Sequence, residues 1–309
     1  MSIKVKKTMG FLAIFAVAGG ASAAIVASSF GPWSAPENAE EYSGNDGSPN
    51  SPQGDGCPIL DPMSNDLYIA STRPGGFGGL DIWIAPWEGD GWGEPVNAGS
   101  NINSVADEFC PTPTRGNRLY FVSKKDEPNG DIYVARRSPN GGFGSAQRLA
   151  GPINSPAQEW SPTIVEGAGG RPVIYFSSTR DGGQDIYVAD NQGQVSKVES
   201  LSTEYSDARP NLSRDGLEIV FDSDRPGGKG ASDIWTATRA TINDDWNEPQ
   251  PIEQVNSDAG ESRASISWDG SMLVFGSNRA GGEGSSDVYV SERSKGSAFR
   301  VIRFPRSSD

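Results

Sequence analysis

The sequence predicts an all-β protein, a β-propeller of five blades with four antiparallel strands in each. Two observations carry this expectation. The first is a fivefold repeat of a hydrophobic run, Ser-x-Arg or a close variant, a Gly-rich turn, and Asp-Ile/Val-Tyr/Trp. Its aspartates are Asp81, Asp131, Asp185, Asp233 and Asp287, roughly fifty residues apart. Self-similarity at a period of about 20–50 residues marks solenoids, propellers or arrays. The second is composition: 39 glycines and 22 prolines in 309 residues suit many short strands and tight turns, and no segment beyond residue 25 carries a helical period over three turns.

The N-terminus reads as a processing segment. Lys4, Lys6 and Lys7 precede a short apolar run from Met9 to Ala18, and Ala21-Ser22-Ala23 has the form of a cleavage site. The expected organisation is a signal peptide over 1–23, a linker over 24–56 with one N-terminal rim strand at about 33–39, and the propeller over 57–309. The apolar run is short for a membrane span. The mature chain is therefore expected to be periplasmic or secreted, without a membrane span, and monomeric.

Within each unit the second strand ends in the recurring stretch. Unit one reads Leu67-Tyr68-Ile69-Ala70-Ser71-Thr72-Arg73, then Asp81-Ile82-Trp83; unit five reads Leu273-Val274-Phe275, Ser277-Asn278-Arg279, then Asp287-Val288-Tyr289. A shorter strand precedes each, joined in units four and five by Asp215-Gly216 and Asp269-Gly270, a strong hairpin signal because both residues tolerate positive φ. A fourth segment follows, such as Trp92-Gly93-Glu94-Pro95 or Trp246-Asn247-Glu248-Pro249, and its proline argues for an edge strand. Four-stranded units repeated radially make a propeller. Trp33-Ser34-Ala35-Pro36-Glu37-Asn38-Ala39 matches the fourth segment but lacks the rest of a blade. It is expected to dock beside the last blade, which has its own candidate rim strand at Phe299 to Phe304.

The combination of Asp-Gly hairpin, Ser-x-Arg, Gly-Gly and Asp-Ile-Tyr resembles the TolB-type WD40-like β-propeller repeat family over about residues 48–304. The resemblance implies the fold, and only loosely an exported, protein-binding role.

Charge and residue types narrow the function. The formal net charge is −14, and discounting the first 23 residues leaves 23 basic against 40 acidic residues, near −17. Such a surface repels nucleic acid and anionic lipid. The absence of histidine removes the usual Ser-His-Asp and Cys-His machinery. The repeated Arg73, Arg180, Arg225 and Arg279 are expected to pair with the Asp of the refrain within each blade, as scaffold; Lys125 breaks the pattern in unit two.

One acid precedes each first strand: Asp55, Glu108, Glu159, Asp207 and Glu261. Four lie 26 residues before their unit's Asp, and Glu108 lies 23 before. Because the first strand of a blade lines the central channel, they are expected to form a ring at one mouth. Each acts either as a local cap on backbone N–H groups or as part of a polar mouth for a cation, a basic side chain or a small polar ligand. The non-repeating Arg209, Arg263, Phe109, Trp160 and Trp268 are the further candidates at that mouth.

Cys57 and Cys110 occupy equivalent positions in neighbouring units; in an exported protein they form a disulfide or remain two thiols. No cofactor is expected. Calcium is the one metal considered, since Asp- and Gly-rich turns supply oxygen ligands, although no Asp-x-Asp-x-Asp-Gly loop is present. Two functions follow: a binding module for a protein or a cell-envelope or glycan ligand, or a glycosidase with paired carboxylates at the channel mouth.

Overall fold

The computed structural model describes residues 30–43, 47–139, 141–165 and 172–296. The signal-peptide segment and Phe299 to Phe304 lie outside them. The protein is a five-bladed β-propeller. Four blades pair their strands in chain order, and the fifth has the order N-terminal strand, third, second, first. The inner strands are Asp55–Leu60, Glu108–Thr114, Glu159–Val165, Asp207–Leu212 and Glu261–Ile266. Second strands such as Leu67–Ser71 and Met272–Ser277, and third strands such as Asp81–Ala85 and Asp287–Glu292, are buried along almost their whole length. This burial on both faces explains their continuous apolar runs. The fourth strands span two or three residues, as at Val96–Asn97 and Gln250–Pro251. No helix among the described residues is long and apolar enough to cross a membrane.

The hydrophobic core is divided among the blade interfaces. Ile59, Tyr68 and Ile82 of blade one pack with Leu119, Phe121 and Tyr133 of blade two. Val220, Ile234 and Val255 pack with Leu273, Phe275 and Tyr289 across the fourth and fifth blades. Leu67, Ile69 and Trp83 meet Val274, Val288 and Val290 where the fifth blade returns to the first. No blade buries its faces alone, so closing the ring is part of forming the core.

One backbone hydrogen bond recurs at all five interfaces. The N–H of each inner strand's first acid donates to the carbonyl just before the Asp of the preceding blade's refrain: Glu108 to Leu80 (2.8 Å), Glu159 to Gly130 (3.2 Å), Asp207 to Gln184 (2.8 Å), Glu261 to Ser232 (2.8 Å) and Asp55 to Ser286 (2.8 Å). The last closes the ring. Beside it, an Asn five residues before the acid brackets the Ile or Val of the preceding refrain. Asn103 binds both N–H and C=O of Ile82, Asn154 those of Ile132, Asn256 those of Ile234, and Asn50 those of Val288. Ser202 supplies only an acceptor for the Ile186 N–H.

The boundaries therefore differ from the expected linker. The inner strand of blade one begins at Asp55, not 57, and Asn50 and Ser51 are buried. The N-terminal strand is Glu37–Asn38, paired with Val290 and Tyr289. Ser34 and Gly31 continue the contact through bonds to the carbonyls of Glu292 and Ser294, so the first described residues serve as the outer strand of blade five. A short helix, Ala39–Tyr42, follows, its N-cap Asn38 accepting from the Glu40 N–H.

Asn50→Ala should destabilise the protein by about 1–3 kcal/mol, because it leaves the Val288 N–H and C=O buried without partners. Asn154→Ala, at the equivalent position between blades two and three, should cost a similar amount. Urea denaturation of the two variants measures this; an unchanged midpoint for Asn50→Ala would separate that residue from ring closure.

Candidate functional site

The channel is built in layers, read down the inner strands. At the loop-side end the five acids are each no more than 1% exposed. The carboxylate of Asp55 accepts from the N–H and hydroxyl of Ser51 (both 2.7 Å) and from Arg73 (2.8 Å). Glu261 accepts from the Ser257 N–H (2.9 Å), Ser277 (2.9 Å) and Arg279 (3.0 Å). Glu159 is bound in the same way by Ser155, Ser178 and Arg180, and Asp207 by Thr203, Ser223 and Arg225. Glu108 has Ser104 and Ser123 but no ion-pair partner among the described residues, because Lys125 stands where the others have Arg.

This pairing corrects the expected scaffold. The refrain arginines bind the inner-strand acids, not the aspartates of Asp-Ile-Tyr/Trp. Each also lies over the aromatic ring of that refrain: Arg73 over Trp83, Arg180 over Tyr187, Arg225 over Trp235 and Arg279 over Tyr289. The refrain aspartates instead accept turn N–H groups, as Asp81 does from Phe77 and Gly78 and Asp233 from Lys229 and Gly230, or pair with Arg148 and Lys197. With their oxygens used inside the blade, the five acids are local caps rather than an open ring of charge.

Two residues further on, Cys57, Cys110, Ser161, Arg209 and Arg263 all have φ between 48° and 54°. At each, the register shifts by a bulge in the ladder with the second strand. Proline follows in four of the five, which the bulge tolerates because it leaves a ladder N–H unused. The bulge removes the simple alternation that would put these residues on the same face as the acids. Cys57 and Cys110 are joined by a disulfide, their Cα atoms 4.8 Å apart, and the Ser161 hydroxyl lies 3.1 Å from the Cys110 sulfur. Phe109 and Trp160 meet edge to face at 5.3 Å beside this bridge.

Arg263 fills the channel below. It is fully buried. From blade five its guanidinium reaches the carbonyls of Ser161 (3.4 Å) and Pro210 (3.3 Å) and the Thr112 hydroxyl (3.1 Å), and so touches blades two, three and four. Asp222 accepts from the Arg263 backbone N–H (2.9 Å) and is ion-paired with the side chain of Arg209. Burial pushes the Arg263 guanidinium down to about 9, against the pull of Asp222, and the nearby Arg209 charge adds to the drop. Burial likewise raises Asp222, with Arg209 and Arg263 opposing it. Asp222 was not singled out from the sequence, yet it interrupts an apolar run where the other blades carry Ala70, Val122, Ser177 and Gly276.

Trp268 departs from its expected place. It follows the far end of the Glu261–Ile266 strand and stands at the opposite, hairpin-side mouth, over a cavity of ≈ 70 Å³ lined by all five blades, with Thr112, Thr163 and Asn211 among its walls. Arg115 and Arg214, absent from the sequence reading, lie against its ring at 5.2 and 4.9 Å. Of the ten expected mouth residues, nine cluster around the loop-side half of the channel, and Trp268 does not join them. Among the described residues, no group of three or more His, Cys, Asp or Glu side chains could hold a metal ion.

Glu261→Gln should cost about 3 kcal/mol or more by leaving Arg279 without its charge partner. Glu108→Gln, which strands no arginine, should cost about 1 kcal/mol; guanidinium denaturation compares them, and equal losses would deny the ion pair its role. Replacing both cysteines with serine should remove about 2–4 kcal/mol. Reduced wild-type protein should then melt with the double variant.

No protein-family model matches the chain, and no curated protein sequence matches it. Solved structures do. The chain is similar to an α-L-arabinofuranosidase from Lactobacillus brevis at 12% identity, covering 83% of this chain and 94% of that one with a TM-score of 0.54. It is similar to a Cellvibrio cellulosa α-L-arabinanase complexed with arabinohexaose at 15% identity, 77% and 91% coverage and a TM-score of 0.52. A TolB-type protein from Agrobacterium tumefaciens matches at 21% identity, 75% and 73% coverage and a TM-score of 0.46. At 12% and 15% identity the likeness to the arabinofuranosidase and the arabinanase is one of fold alone, and the role of this chain rests on its own residues.

Proposed function

We propose that this chain is an exported, non-catalytic binding propeller that holds a protein or a cell-envelope or glycan ligand at a channel mouth or propeller face. The observation that carries the reading is the fate of the five channel acids. Each is buried and hydrogen-bonded within its own repeat, and the channel beneath is filled by Arg263. A glycosidase needs two carboxyl groups about 5–5.5 or 6.5–9.5 Å apart with access to the glycosidic bond, in settings that push their pKa values apart. The hairpin-side cavity is lined by no carboxylate among the described residues. The disulfide agrees with an oxidising compartment.

The competing glycosidase reading takes Asp222, a non-repeating acid of the channel, as its candidate carboxylate. Purified protein should release no sugar from arabinan, galactan or aryl glycosides, while binding an envelope protein or polysaccharide saturably. Hydrolysis that disappears in Asp222→Asn would overturn the reading. Intact mass of the mature chain tests export, with loss of 23 or 24 residues expected.

A further inference from the structure

The hairpin-side mouth carries an arrangement that scaffold duties do not explain. Each inner strand ends in a turn, and seven positions after the channel acids stand Pro62, Arg115, Arg214 and Trp268 in blades one, two, four and five; the blade-three counterpart, Glu166, lies outside the described residues. Arg115 reaches Trp268 from a blade that is not its neighbour, so the contact spans the mouth. Arg214 approaches the same ring from the adjoining blade. Packing a guanidinium on an indole fixes its plane while leaving its N–H groups free to bond.

Among the described residues neither arginine forms an ion pair, although the chain carries 40 acidic residues. Arg115 makes a weak hydrogen bond from Nε to the Met63 sulfur at 3.3 Å. Among the described residues the nearby hairpin acids are engaged elsewhere: Asp215 with Ser213 and the Leu217 N–H, Asp269 with Ser267, Ser271 and Lys295. The cavity under the arginines has hydroxyl and amide walls at Thr112, Thr163 and Asn211. Its floor at Thr112 takes a hydrogen bond from the buried Arg263, whose Nε has no partner. Arg214 and Trp268 thus line a small recess, Arg115 packs on the same indole, and Arg263 reaches the recess through Thr112, all in a strongly acidic protein. A cavity of ≈ 70 Å³ admits a few waters or one compact ionised group.

We infer that this mouth is a binding site for an oxyanion carried at the end of a ligand, either the carboxylate of a uronate sugar or the phosphate of a sugar ester. Arg115 and Arg214 form the clamp, Trp268 holds them in plane, and Arg263 supplies positive charge from below. Guanidinium forks match both oxyanions with two parallel hydrogen bonds. This inference rests on the binding reading above and gives it a place and a ligand chemistry.

The test is calorimetric titration of the intact, oxidised mature protein with trigalacturonate, glucose 6-phosphate and neutral maltotriose, at two salt concentrations. The charged probes should bind saturably and more weakly at high salt, and maltotriose should not. Arg115→Gln/Arg214→Gln, both at exposed positions, should keep the wild-type melting temperature and bind at least about a hundredfold more weakly, on the order of tenfold for each charge-assisted pair lost. Saturation by trigalacturonate alone assigns a carboxylate, by glucose 6-phosphate alone a phosphate ester, and by both an oxyanion regardless of carrier. No saturable binding of either charged probe, or undiminished binding by the folded double variant, overturns the site. A capture assay that recovers an envelope ligand equally with the double variant would leave the binding reading standing and remove this site. Glycoside hydrolysis with an intact clamp would do the reverse.

Discussion

The carboxylate at the head of each inner strand is the interaction on which the rest of the propeller depends. Its backbone N–H bonds the preceding blade, and its side chain ties down the loop that arrives from that blade. In four blades it also holds an arginine that lies over the aromatic residue of the third strand. One residue thus couples blade to blade, loop to strand and strand to strand. Placing a bare carboxylate in such a buried position would be costly; here hydroxyl, amide and guanidinium donors replace the lost water. The glycine turns and the Asp-Ile-Tyr refrain are the periphery of this staple.

The acids explain why a repeat protein can look like an active site in one dimension. A residue type recurring at a fixed offset suggests a ring of function, but a task that every blade needs is a structural one. The chain departs from its own repeat at Arg209, Asp222 and Arg263 inside the channel and at Arg115, Arg214 and Trp268 on the hairpin side. The first group closes the channel by joining four blades through one buried guanidinium. The second packs two exposed guanidinium groups on one indole at the rim of a small recess.

Part of the candidate site was legible because its signal is linear. Cys57 and Cys110, Arg209 and Arg263 share one offset from the acids, and counting along the chain finds them. The Asn-Ser pairs that precede four of the acids, such as Asn103-Ser104 and Asn256-Ser257, were equally countable. Asp222 could have been found as a charge inside an apolar strand. Arg115 and Arg214 carry no such mark, since an arginine at a hairpin is an ordinary solvated residue until a ring from another blade is seen beside it. Trp268 was assigned to the wrong mouth because proximity in sequence to Glu261 was read as proximity in space; a six-residue strand at about 3.3 Å per residue separates them by close to 20 Å.

The sequence by itself determined the number of blades, their four-strand make-up and the position of the inner-strand acids. These follow from a local repeat whose hydrophobic runs, turns and polar offsets recur with the same period, and each unit needs the same neighbours. Only the tertiary structure decided which charges meet. The arginines of the refrain chose the channel acids over the nearer aspartates because the inner strand's head lies beside the second strand's end, where three-dimensional distance overrides chain distance. It also decided that Arg263 seals the channel and that Trp268 stands between two arginines from different blades. Such contacts cross the ring, and no period along a chain encodes what faces it from the other side.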